Sequence, residues 1–285
     1  MKVLPADAHV HSEYSWDTGG PTSPTAVGTM TRTCARALRI GLPAVIFTEH
    51  LDVSGWTAAP QDFAEHERQL IDQYGLMQPP PMDVEGYFES IERCRRDFPD
   101  LRILTGVEFG QPHLDHPAAE ALIDLAELDR VNGSLHTLPF RGHRSEPITL
   151  FRELSDPAEV MCAYLAEVPN MVDGGDFEVF THIDYAARYW PTAEHGPFDH
   201  GRFEDGFRQA MRAIAASGRA LEMNTGRPLR PWIPQWWAEE GGRAVSFGSD
   251  DHETNGLAAN FYETAALLDH FGFRPGQQPE DFWTR

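Results

Sequence analysis

Seven places in the chain put histidines and carboxylates directly after short apolar runs. They are Asp7-Ala8-His9-Val10-His11, Thr48-Glu49-His50, Glu108, His136, His182-Ile183-Asp184, Glu222-Met223-Asn224 and Ser249-Asp250-Asp251-His252. Imidazoles and carboxylates together are a ligand set for Zn, Mn or Fe, and no cysteine joins them. His9 and His11 stand two residues apart, so on a strand both side chains point the same way, as two imidazoles on one metal require. Taken singly, each of these histidines reads as an ordinary surface or satisfied residue. It is the repetition at every apolar run that points to one site.

The basic residues narrow the chemistry. Of 23 Lys and Arg, 22 are Arg and only Lys2 is Lys. A Schiff-base enzyme, a pyridoxal phosphate enzyme and a GxxxxGK phosphate loop each need a lysine in the body of the chain, so all three are excluded. The net charge of −21 argues against nucleic-acid or anionic-membrane partners. It leaves room for a small anionic substrate, because a bound metal reverses the local field. No apolar run is long enough for a membrane span, and no secretory signal is visible. Cys34, Cys94 and Cys162 are odd in number and far apart, which favours a reducing, cytoplasmic home over a disulfide framework.

The elements that must position these residues alternate. Strands are expected at Val3 to Val10, Ala44 to Phe47, Arg102 to Val107, Arg130 to Leu135, Phe177 to Thr181, Arg219 to Met223 and Arg243 to Phe247. Helices fall between them. The first is expected to be capped by Ser23, with Pro24 at its first position, Gly41 past its end and Val27, Met30 and Cys34 on its apolar face. The second runs from Val84 to Phe98, and a third starts near Pro117 with Ala121, Leu122 and Leu125 inward. A fourth opens at Asp156-Pro157, and a fifth carries Phe203, Phe207, Met211 and Ile214. About seven strand-helix units predict an α/β fold with a parallel sheet. A barrel is favoured over an open sheet, because only closure brings all seven polar strand ends to one face. The long stretches 52–83 and 138–155 are expected to form lids or rims over that face.

In their order along the chain, the motifs DxHxH, TEH, GVE, GSLH, HID, EMN and GSDDH resemble the PHP (polymerase and histidinol phosphatase) family of metal-dependent phosphoesterases, from Asp7 to His252. The resemblance implies a single domain over residues 1–285, folded as a distorted, TIM-like (β/α)7 barrel with up to three divalent metal ions, Zn, Mn or Fe. His9, His11, Glu108 and Asp250 hold the first ion. Glu108 bridges to a second, held also by His136 and His182. His50 and His252 hold a third together with Asp17, which stands where many members have His. Asp7 and Glu49 are expected to orient the histidines.

The implied reaction is hydrolysis of a phosphate monoester, as in the histidinol phosphatase branch, with a hydroxide bridging the first two metals as nucleophile. The residues in the reacting machinery are Asp17, Glu108, Asp250 and His252, with Asp17, or a water on its metal, as the leaving-group acid. Arg188 and either Arg227 or Arg230 are expected on the phosphate, with Arg141 and Arg144 within possible reach. Among Trp16, Trp56, Tyr185, Tyr189, Trp190, Trp232, Trp236 and Trp237, some are expected to wall an organic leaving group and most to be packing. His113 and His116 lie outside the strand-end pattern and read as surface residues. The oligomeric state is left open.

Three alternatives stand beside this reading. One is a PHP phosphoesterase acting on nucleotides or cyclic phosphates. Another is a non-catalytic, metal-stabilised structural module. The third is an amidohydrolase, whose common carboxylated-lysine bridge this chain lacks.

Overall fold

The computed structural model describes residues 4–20, 27–140 and 142–285. Eight strands form one mixed sheet whose spatial order follows the chain. They are β1 (Asp7–Val10), β2 (Ala44–Leu51), β3 (Arg102–Gly110), β4 (Arg130–Ser134), β5 (Val179–Phe180), β6 (Ala220–Asn224), β7 (Ala244–Gly248) and β8 (Trp283–Thr284). The first seven pair in parallel. The eighth, which the sequence pattern did not suggest, pairs antiparallel with β7. The sheet curls strongly. Beyond β7, Asp250 N–H donates to the His9 carbonyl at 2.8 Å and His11 N–H donates to the Asp251 carbonyl at 3.0 Å. The exit of the seventh strand thus returns to the first.

Nearly every residue of β2, β3 and β4 is buried, as expected for strands covered on both faces. Period-two alternation puts Ile46, Thr48 and His50 on one face of β2, and Leu104, Gly106 and Glu108 on the same face of β3. This face runs from small or apolar residues at one end to ligating types at the other. Space on it is short. A Cβ at Gly248 would lie 2.2 Å from Glu222 Oε1 and 2.4 Å from the His9 Cβ, so only glycine fits.

The connecting helices include α1 (Met30–Ile40), α2 (Val84–Asp97), α3 (Pro112–Glu120), α4 (Pro157–Gly174) and α5 (Glu204–Ala216). Side chains close their starts: the Asp83 carboxylate accepts from Gly86 N–H and the Asp156 carboxylate from Ala158 N–H. Their apolar faces join one continuous core, with Met30, Cys34, Tyr87, Ile91, Tyr164 and Phe207 fully or almost fully buried.

Two helix expectations need correction. Helix α1 begins at Met30 with Thr29 as its cap, and Val27 precedes it at 48% exposure, off the apolar face. The expected cap Ser23 and Pro24 lie outside the described residues. Helix α3 starts five residues before Pro117, because Pro112 already supplies a preset first-turn φ. Leu122 falls beyond its end and is 39% exposed.

The two long stretches are not independent loops. They contribute strands Trp56–Thr57 and Leu76–Met77 from one, and Leu138–Phe140 and His143–Ser145 from the other, to a single four-stranded rim sheet. The parallel pairing of Thr57 with Ser145 joins the halves. A small core of Trp56, Ala58, Phe63 and Met77 lies beneath, with Trp16 packed on it. The rim is latched to α3 by Asp115, which accepts from Arg144 Nη2 at 2.9 Å and from the Ser54 hydroxyl at 2.8 Å. Arg144 is therefore committed to Asp115 and not to the site; Arg141 lies outside the described residues. Among the described residues no helix is long and apolar enough to cross a membrane.

Candidate metal centre

The C-terminal ends of the parallel strands bring the expected residues together. His9 leaves β1 with its Nε2 3.1 Å from the Nε2 of His11. Both nitrogens face Glu108 Oε2 of β3, at 3.3 and 3.4 Å. Both also face Asp250 Oδ1, at 3.6 and 3.5 Å. The other oxygen of Glu108, Oε1, faces His136 Nε2 at 3.1 Å and His182 Nε2 at 2.7 Å. One carboxylate thus presents each of its oxygens to a different group of imidazoles. A third group forms at the rim, where Asp17 Oδ2 lies 2.8 Å from His252 Nε2 and 3.4 Å from His50 Nε2. Donor atoms of His9, His11, Glu108 and Asp250 lie within 4.8 Å of one another, as do those of Glu108, His136 and His182. The same holds for His11, His50 and His252.

These residues fit divalent cations. Glu108 Oε2 is buried and accepts no hydrogen bond, although imidazole nitrogens of His9, His11 and His50 stand 3.1–3.4 Å away. Asp17 Oδ1 is likewise buried without a partner. Proton affinities tell the same story. Burial would lower His9, but Glu222, Glu108 and Asp250 overcome it and hold the imidazole well above its usual range. By the same balance Asp17 and Glu108 raise His50, His136 is pushed up to about 10, chiefly against burial by Glu108, and His252 to about 9 by Asp17. His11 goes the other way, to about 3, from burial and then from the charges of His252 and His50. Burial opposes ionisation of Glu108, yet His136, His9 and His50 hold it well below the ordinary carboxylate range. A cluster with this many carboxylates calls for positive charge among them, and burial together with the neighbouring imidazoles disfavours a second proton on His11.

Behind the donors stand other carboxylates. Glu222 Oε1 lies 2.5 Å from His9 Nδ1, and its Oε2 accepts from His182 N–H at 2.8 Å. Glu49 accepts from the Ser12 and Ser15 hydroxyls, and the Ser15 hydroxyl lies 2.8 Å from His11 Nδ1. Glu49 thus orients a histidine through one hydroxyl, as expected. Asp7 does not. Its carboxylate accepts from Ser249 N–H and Ala258 N–H, each at 2.8 Å, and so shapes the turn carrying Asp250. The role of Glu222, at the end of β6, was not foreseen. Asp52 was missed outright, although its spacing of two from His50 is the spacing that linked His9 and His11.

A cleft of about 290 Å³ opens over these groups. Arg188 lines it from the short helix Tyr185–Arg188, with Nη1 3.2 Å from Asp250 Oδ2. Its Nη2 is buried and unpartnered. Arg227 lines the same cleft, whereas Arg230 does not: its Nε lies 2.9 Å from Asp184 Oδ2, which holds it to the far side of the loop. Trp16, Trp56, Tyr185 and Tyr189 are on the cleft wall. Trp190 packs on Phe151 and Phe203, and Trp232 and Trp236 pack on Phe207. Trp237 is fully buried. His113 pairs with Glu167 at 2.8 Å and His116 with Glu120 at 3.4 Å, both away from the centre. Glu146 also lines the cleft, accepting from the Tyr185 hydroxyl at 3.3 Å, and burial pushes it up to about 7.

A parallel α/β sheet with imidazoles and carboxylates gathered at its C-terminal edge defines a metal-dependent hydrolase class. The chain belongs to the PHP domain family, whose model matches residues 7–226. It is 25% identical over 284 residues to the histidinol-phosphatase of Lactococcus lactis, covering 96% of this chain and 93% of that one. It is 26% identical to the "Probable histidinol-phosphatase" of Clostridium acetobutylicum, over 68% of this chain and 76% of the relative. The crystal structure of the L. lactis histidinol phosphate phosphatase, complexed with zinc, L-histidinol and phosphate, superimposes with a TM-score of 0.72. It covers 96% of this chain and 95% of that one, and at 22% identity this likeness establishes the fold.

Proposed function

We propose that this chain hydrolyses a phosphate monoester with the help of divalent metal ions, and that its substrate is histidinol phosphate or a close analogue. The observation that carries the reading is Glu108, whose two oxygens face two separate groups of imidazoles beneath a cleft holding an arginine with unused donors. His9, His11, Glu108 and Asp250 hold one ion; Glu108, His136 and His182 a second; Asp17, His50 and His252 a third. Zinc is the first choice, with manganese or iron served by the same donor set. When bound, the ions supply charge against the phosphate oxygens and lower the pKa of water to about 7.

The chain's own residues do the rest. Arg188, steadied by Asp250, offers Nη2 to a phosphate oxygen, and Arg227, which lines the same cleft, offers a second guanidinium. Asp17 stands at the rim end of the centre; burial opposes its ionisation, but His252 and His50 hold it well below the ordinary carboxylate range, so its carboxylate serves by orienting a water that gives a proton to the departing alkoxide. Trp16, Trp56, Tyr185 and Tyr189 exclude water around an organic leaving group. We also read the sheet as a distorted (β/α)7 barrel forming one domain, supported by the two backbone hydrogen bonds that tie the exit of β7 to β1. The three cysteines are free, in keeping with a reducing cytoplasmic home.

The test is steady-state kinetics of the zinc-loaded chain on histidinol phosphate and a panel of other phosphate esters. A kcat/KM for histidinol phosphate far above the panel supports the reading. No turnover of any ester with zinc, manganese or iron overturns it.

A further inference from the structure

Asp52 follows directly on β2 and is buried, at 8% exposure. Its two oxygens face two different histidines from behind. Oδ2 lies 3.6 Å from His50 Nδ1 and Oδ1 lies 3.5 Å from His136 Nδ1. The Trp16 indole N–H donates to Oδ2 at 3.0 Å and fixes the carboxylate in place. Gly110, at the end of β3, leaves the space it occupies, since a Cβ there would lie 1.9 Å from Oδ1. The opposite nitrogens of both rings point at ligand carboxylates, His136 Nε2 at Glu108 and His50 Nε2 at Asp17. His50 Nδ1 also lies 3.1 Å from Glu108 Oε2, so that ring is shared between two carboxylates.

A neutral imidazole has one N–H and one lone pair, and the acceptor facing one nitrogen decides which nitrogen keeps the lone pair. A carboxylate behind two rings therefore acts on both at once. We propose that Asp52 is a positioning residue shared by the second and third metal positions. It keeps the hydrogen on Nδ1 of both His50 and His136 and so turns both Nε2 lone pairs toward the metals. This rests on the metal-centre reading above. At 3.5–3.6 Å the contacts are longer than hydrogen bonds, so the carboxylate works on both neutral rings through its charge, which favours an N–H on the nitrogen facing it. Its neighbours His50 and His136 also offer, with Asp52 itself, a compact donor group, which makes direct ligation by Asp52 the rival account.

The experiment compares the full chain with Asp52→Asn. Zinc per chain is measured across a series of buffered free-zinc concentrations, and the histidine rings are followed by long-range 1H–15N spectra. The asparagine offers one oxygen, so it cannot serve both rings. The expected result is an unchanged number of ions at saturation, with two of them weakened together by roughly 10–100-fold. The Nδ1–H signals of His50 and His136 should be lost or averaged. Unchanged affinities overturn the proposal. So does weakening of a single ion, or one ion fewer at saturation with both tautomers intact, which would make Asp52 a ligand. A wild-type chain that binds no zinc overturns the metal centre itself and this proposal with it. Should Asp52→Asn not fold, Trp16→Phe removes the donor to Oδ2 while keeping an aromatic ring against the rim core. It should weaken the same two ions by roughly 2–10-fold, and unchanged affinities there count equally against the proposal.

Discussion

Glu146→Gln should make the metal-free protein more stable, and only above mildly acidic pH. Glu146 is buried on the cleft wall with one neutral donor, the Tyr185 hydroxyl. Burial raises its carboxyl from the usual 4.5 to about 7. The sign follows from proton counting. Between these values the folded chain holds a proton on Glu146 that the unfolded chain has released, so stability falls as pH rises. At 1.36 kcal/mol per pH unit, the cost of ionising the group in place grows to about 3 kcal/mol near pH 8, from about 1 kcal/mol near pH 5. Glutamine fills the same space without an ionisation to suppress. The assay is urea unfolding of both proteins, with chelator present, at intervals from about pH 5 to about pH 8. The other titrating groups are common to both chains and largely cancel in the difference. The expected difference favours the variant and widens by about 2 kcal/mol over that range, most of it below about pH 7. A difference that stays flat, or a variant less stable at the alkaline end, would mean the carboxylate is ionised and well partnered, and would refute the reasoning.

Other outcomes follow from the same geometry. Arg188→Met should lower kcat/KM for a phosphate ester by roughly 10–100-fold or more, since it deletes charge-assisted donors, while Arg230→Met should act mainly by loosening the loop that carries Arg227. A steady-state comparison in which Arg230→Met is the more damaging would reverse the assignment. Gly248→Ala should displace both the Glu222 carboxylate and the His9 side chain and leave the purified protein short of metal, with about 1–3 kcal/mol lost from overpacking; full metal content by mass spectrometry would contradict this. Exhaustive chelation should abolish turnover and lower the thermal midpoint, and added zinc should restore both. A midpoint indifferent to chelator would argue against ions held by the folded chain.

Much of this site was legible because β-strand periodicity is simple. Once the apolar runs end, the next ligating residue sits at a strand tip, and that rule alone marks the places of His9, His11 and Glu108; the choice of Asp250 over Asp251 and the grouping around each ion came from the resemblance to the PHP family. The unread parts share a cause, which is that their partners come from elsewhere in the chain. Arg144 looked available until Asp115, on α3, turned out to hold it. Asp7 resembled a helper of the histidines but serves two backbone N–H groups near Ser249 and Ala258, over 240 residues away. The rim sheet depends on pairing Thr57 with Ser145, which two loops with no periodicity of their own do not announce. Strand β8 is two residues long and carries no pattern to detect. Asp52 is the exception, because the rule that found His9 and His11 would have found it too.

The tie between His9 and Asp250 has a consequence for how the protein comes into being. His9 and His11 leave the ribosome about 240 residues ahead of Asp250 and His252. At roughly 5–20 residues per second, on the order of 10–50 s pass before the two ends can meet. Throughout that interval the growing chain carries a pair of histidines that lack the Asp250 carboxylate, open to whatever transition metal is at hand. The final selection of metal therefore belongs to the moment when the seventh strand docks against the first.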